Sequence, residues 1–287
     1  MRALKFLTTL AGFCALTLCA PPAHGQSPYG SSGEFAKYAQ KLRENALQKM
    51  EPTVQVQTTS TRQATATPPL STSTALLGGR YPWKNEIVTT VFWIGEGTTA
   101  RNPTPNRASS WDPNWLGNYG GVDRPDRRNG YLPVAFVPGQ NPFYCALPYN
   151  DVTHGTTKPE ASFVIPWFRQ TFQQAGHSVC KGRWLAIRRG NRVCYAQWED
   201  CGPFRTDHWQ YVFGKDRPKP NLNQGAGLDV SPAVRDFLGM NATMDVCDWK
   251  FVDFSEVPPG PWAKYGENNT FVLSARRGTE QIASGRR

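Results

Sequence analysis

VCYAQWEDCGPF (193–204) and, a short loop later, GAGLDVSPAVRDFLGM (225–240) are the two stretches that decide the fold. The first is an apolar run with β-forming residues that ends in Glu199–Asp200 and breaks at Gly202–Pro203. The second puts Asp229 at the close of a short strand that turns directly into a helix. Ser231 suits the N-cap, Pro232 the first helical position and Gly239 the C-terminal cap. Asp200 and Asp229 therefore each end a strand beside a turn, where catalytic groups are commonly carried on loops held by a rigid scaffold.

Working outward, RWLAIRRGNRVCYAQW (183–198) reads as two strands around Gly190–Asn191, a favoured pair for a tight hairpin turn. IVTTVFWIG (87–95) is a β-rich apolar run and a candidate buried strand. Phe251 and Val252 suit a last strand, with Trp184 and Trp249 as core residues. IPWFRQTFQQ (165–174) suggests a short helix after Pro166. Between Glu96 and Pro138 lies a long irregular stretch whose Trp111, Trp115, Tyr119 and Tyr131 argue against disorder.

The two acidic motifs, "D-x-GPF" and "G-x-LDVS-x-A-x-x-x-LG", resemble the double-psi β-barrel of rare-lipoprotein-A-like proteins and bacterial expansins. Asp200 and Asp229 fall on that pattern's two acidic positions, and Ser231, Ala233, Leu238 and Gly239 fit the rest. Thr90, in TTVFWIGEG, falls on the Thr of the family's opening strand. The resemblance implies a mainly β protein: a six-stranded double-psi barrel with long loop insertions and short helices. It departs at CALPYND (145–151), where Tyr149, Asn150 and Asp151 follow Leu147–Pro148 and no His precedes it, although the family carries a His in its polar site.

Composition fits a loop-rich β protein. Gly, Pro and aromatic residues are plentiful, and only 19% of the 287 residues are charged. The net charge of +10 favours polyanionic surroundings. Residues 1–25 read as a secretory signal: Arg2 and Lys5, an apolar run to Ala20 stopped by Pro21–Pro22, and a small-residue cleavage site. This predicts a secreted protein, periplasmic or extracellular, without a transmembrane segment. Residues 26–76 divide into an amphipathic helix over 31–50, opened by Ser31 and Glu34 in a capping box, and a Ser/Thr/Pro-rich linker that predicts a flexible leader. The barrel domain is expected over 77–262 and a loosely held polar tail over 263–287.

Removal of the signal leaves Cys145, Cys180, Cys194, Cys201 and Cys247. Outside the cytosol such residues pair. Continuing the hairpin register sets Cys180 across from Cys201, and elimination then pairs Cys145 with Cys194. The rival is a zinc site. No CxxC pair exists and the mature chain has only His154, His177 and His208, so neither a metal nor another cofactor is expected.

The chemistry that fits is glycan cleavage. An acid catalyst must be protonated when it meets the sugar oxygen, and a second carboxylate nearby raises its pKa. Asp229 as acid with Asp200 in support meets that need; the plain alternative is that both merely shape turns. A base for water could come from Glu96, Glu199 or Asp207. Lytic transglycosylases of the rare-lipoprotein-A type activate no water, because a muramyl hydroxyl attacks instead. Trp93, Trp111, Trp115, Trp198 and Trp209, with Thr90 and Tyr149, are candidate sugar contacts; core packing is the competing role for each Trp. Arg183, Arg188, Arg189 and Arg192 could attract acidic polymers or simply decorate a hairpin tip. An export signal argues against nucleic acid, and Cys201 lacks the nearby His of a cysteine hydrolase. The expected protein is thus a monomer acting on cell-wall polysaccharide, most simply peptidoglycan, with a non-catalytic expansin-like wall-binding module as the alternative.

Overall fold

Six strands close into a barrel in the computed structural model, which describes residues 80–100 and 102–284. The signal segment, the helix over 31–50 and the linker after it lie outside the described residues. We number the barrel strands β1 (Lys84–Val91), β2 (Tyr144–Leu147), β3 (Arg183–Arg189), β4 (Arg192–Cys201), β5 (Leu228–Val230) and β6 (Met244–Val252). Around the barrel the order is β1, β6, β3, β4, β2, β5 and back to β1. The β4–β2 and β5–β1 contacts are parallel and the other four antiparallel.

The β3–β4 hairpin forms as its sequence predicts. Arg189 pairs with Arg192 across a turn in which Gly190 takes φ +57°, a conformation that suits glycine. The helix Pro232–Leu238 also forms as predicted. The Ser231 hydroxyl accepts from the Val234 N–H, and Gly239 closes the helix in the left-handed region. Ser231 additionally donates to the Pro142 carbonyl, tying the helix start to the segment leading into β2.

Aromatic residues fill the interior. Trp184 and Trp249 are core residues, as expected. Trp198 stacks on Phe251 at 5.8 Å, and Phe251 meets Trp167 edge-on at 4.8 Å. The long 96–138 insertion is not a loose loop. It supplies the short helix Trp115–Tyr119, and Trp115 and Tyr119 pack with Phe92, Ile94 and Tyr144 into a second, smaller core. Within the expected polar tail, a helix runs over Thr270–Ser284, and Phe271 near its start is edge-on to Trp184 at 5.7 Å.

In this structure the five described cysteines carry no disulfide, neither Cys180–Cys201 nor Cys145–Cys194. The β3–β4 ladder stops at Arg183, and Cys180 belongs to a turn wound on the Ser178 hydroxyl, which accepts from the Cys180 and Lys181 N–H groups. Cys145 sits opposite Trp198, and Cys194 lies four residues back along β4. Among the described residues no helix is long and apolar enough to cross a membrane.

Candidate active site

The barrel register builds the site. Ala146 on β2 is the partner of Asp200 on β4 and also of Asp229 on β5. Asp229 is in turn the partner of Thr90 on β1. Four neighbouring strands therefore present Asp200, Ala146, Asp229 and Thr90 in one row. Strand spacing sets the two aspartate Cα atoms roughly 10 Å apart, with only a methyl group between them. A groove of about 730 Å³ opens over this row, and Thr90, Trp93, Glu96, Ala146, Asp200 and Asp229 all line it.

The turn after β4 closes against the second motif. A Cβ added at Gly202 would lie 3.3 Å from Asp229 Oδ2 and 4.0 Å from the Ala146 methyl, so glycine lets the turn rest directly on the acid. Two residues on, Phe204 stands 41% exposed on the rim with φ +60°, an uncommon backbone state for a bulky residue. It also lines a second depression beside the groove, with Asp207 and Leu222.

Each carboxylate is held in a different way. The Thr90 hydroxyl hydrogen-bonds Asp229 Oδ1. Burial pushes the Asp229 carboxyl up to about 7; the Thr90 bond works against this, and the negative charges of Asp200 and Glu96 add to it. Asp200 Oδ1 accepts the backbone N–H groups of Ser110 at 2.8 Å and Cys201 at 2.7 Å. Burial raises Asp200 to about 6 in spite of those bonds. Glu96 leaves β1 along the insertion, and its Oε2 accepts from Asn106 Nδ2 at 3.0 Å. Burial brings Glu96 to about 7. The backbones of Gly95, Glu96 and Asn106 are cross-linked by hydrogen bonds of 2.7 and 3.0 Å, which fixes where that carboxylate stands.

Of the expected sugar contacts, only Thr90 and Trp93 line this groove. Trp115 and Trp198 are 1% and 0% exposed and belong to the cores. Trp111 packs edge-on to Trp198 at 5.6 Å and donates its indole N–H to Asn150. Trp209 packs against the main core, and Tyr149 is fully buried against Phe213 at 5.3 Å. Trp115, Trp198 and Tyr149 fall on buried positions, while Trp111 and Trp209 are half-buried against the main core. The Ser110 amide and Phe204 were missed. A backbone donor leaves no trace in the sequence, whereas Phe204 was visible as the F of GPF.

Of the three candidate bases, Glu96 alone lines the groove. Glu199 is buried at 3% exposure, and Asp207 stands in the neighbouring depression. The hairpin arginines are engaged internally: Arg183 with Asp253, Arg188 with Asp248 and Arg189 with Asp245, while Arg192 donates to the Phe237 carbonyl. No protein-family model matches the chain, and no curated protein matches its sequence. The site's function rests on its own geometry.

Proposed function

We propose that this chain is an exported, monomeric, double-psi-type barrel protein related to the rare-lipoprotein-A-like group, and that it cleaves the glycan strands of cell-wall polysaccharide, peptidoglycan first among them. Asp229 is the general acid, kept protonated first by burial and then by the neighbouring charge of Asp200. The single observation carrying this reading is the strand row in which Ala146 is flanked by Asp200 and Asp229 at the floor of an open groove. A catalytic acid has to retain its proton near neutral pH, and burial beside a second carboxylate is how proteins arrange that. Aspartates that only shaped turns would not need to share a solvent-open groove. Trp93 and the exposed Phe204 offer apolar ring faces for sugars.

The test is incubation of the purified protein with isolated sacculi. Release of soluble glycan fragments that disappears in Asp229→Asn supports the enzyme. Binding without release, unchanged in that variant, overturns it in favour of an expansin-like wall-binding module.

A further inference from the structure

We propose that Glu96 is the general base that activates water in this groove, which makes the reaction a hydrolysis with inversion rather than the intramolecular transfer implied by the family resemblance. The inference rests on the reading of Asp229 as the acid and adds the second half of the mechanism.

Two kinds of hydrogen-bond partner divide the roles. Glu96 Oε2 accepts from the Asn106 side-chain N–H, so that oxygen carries no proton. Asp229 instead meets the Thr90 hydroxyl, which can donate or accept and so tolerates a proton on the carboxyl. Asp200, whose Oδ1 takes two backbone N–H bonds, is the group fixed as an anion. Three negative charges in one groove repel, so the site holds a proton near neutral pH, and the reactive form is the one that carries it on Asp229 with Glu96 ionised. The groove, at about 730 Å³, has room for a sugar ring together with a water molecule, which occupies roughly 30 Å³.

The step balances. Water oxygen bonds to the anomeric carbon while one of its protons passes to Glu96. The bond from that carbon to the bridging oxygen breaks, and the Asp229 proton goes to the leaving oxygen. Glu96 ends protonated and Asp229 ionised, and exchange with solvent restores both. No oxidant, metal or co-substrate is involved.

The experiment digests sacculi in water labelled with heavy oxygen and follows the new ends by mass spectrometry and NMR. The expected result is one label per new reducing end, with the α-anomer appearing first from β-linked strands. Glu96→Gln should lower kcat about a hundred- to ten-thousand-fold while sedimentation with sacculi stays near wild type and Tm does not fall. Unlabelled anhydro ends, label with the β-anomer first, or a Glu96→Gln rate within about threefold of wild type would each overturn the Glu96 assignment and leave Asp229 as the acid. If the wild type forms no ends at all, the proposed function itself falls, and the Glu96 assignment with it.

Discussion

Thr90 and Asp229 set the pH behaviour of the site. Asp229 must be protonated to act, so cleavage should decline as pH rises past about 7. It should also decline at low pH as the ionised partners take up protons, Glu96 near about 7 and Asp200 near about 6. Thr90→Val removes a bond that favours the ionised carboxyl, so the alkaline limb should move to higher pH; an unmoved limb would mean that another group titrates there. Stability follows the same protons. Folding raises Asp229 from 3.8 to about 7 and Asp200 from 3.8 to about 6, so in this window the fold holds more protons than the unfolded chain. The stabilisation is complete below the unfolded value and is lost as pH rises through the folded ones. Tm should therefore be higher at about pH 5 than at about pH 8. Asp229→Asn, inactive by design, should raise Tm at the alkaline end by roughly 3–6 °C, measurable by calorimetry.

At the scale of elements, the groove depends on what β2 and the turn after β4 leave out. Ala146 lies between the two aspartates, so Ala146→Leu would place a branched side chain on the groove floor. Cleavage and glycan binding should both be lost, at a stability cost of about 1–3 kcal/mol from overpacking; retained binding would show that sugars do not lie along this row. Phe204→Gly should act in the opposite direction on stability. It relieves a left-handed backbone that costs a bulky residue roughly 1 kcal/mol, yet removes an exposed ring from the rim. Sacculus affinity is expected to fall about tenfold with no loss of Tm. How much of this was legible varies with the kind of signal. Ser231, Pro232, Gly239 and Gly190–Asn191 announce a cap and a turn through backbone chemistry that needs no tertiary context, and these elements stand where they were read. Asp200 and Asp229 were legible as strand ends; their sharing one groove was implied only by the resemblance, because their meeting across Ala146 requires the parallel β4–β2 pairing of distant segments. The tryptophans misled for a related reason. A ring suited to stacking on sugar is equally suited to a core, and only the barrel's inward and outward faces decide which.

The whole molecule combines a basic body with an acidic groove. Its 32 Lys and Arg against 22 Asp and Glu give the +10 charge, while the groove gathers Glu96, Asp200 and Asp229. The two serve different stages of one encounter. On the proposed function, an anionic wall polymer would be drawn to the basic chain from a distance, and its charged branches would be repelled by the groove, which would favour an uncharged stretch of sugar over the aspartates. Because Arg183, Arg188 and Arg189 are ion-paired to acids on the neighbouring strand β6 and just past its end, the attraction belongs to the distributed charge and not to a hairpin clamp. Screening separates the two contributions. Raising salt from about 0.05 to about 0.5 M shortens the Debye length from roughly 14 Å to about 4 Å. Binding to sacculi should weaken on the order of tenfold over that range, while kcat at saturating substrate stays constant. Phe204→Gly, which acts by ring contact, should lower affinity by the same factor at every salt concentration. If the Phe204 effect instead grows or shrinks with salt, that ring's contribution is not contact with neutral sugar, and the division between a basic body and a sugar-selecting groove is wrong.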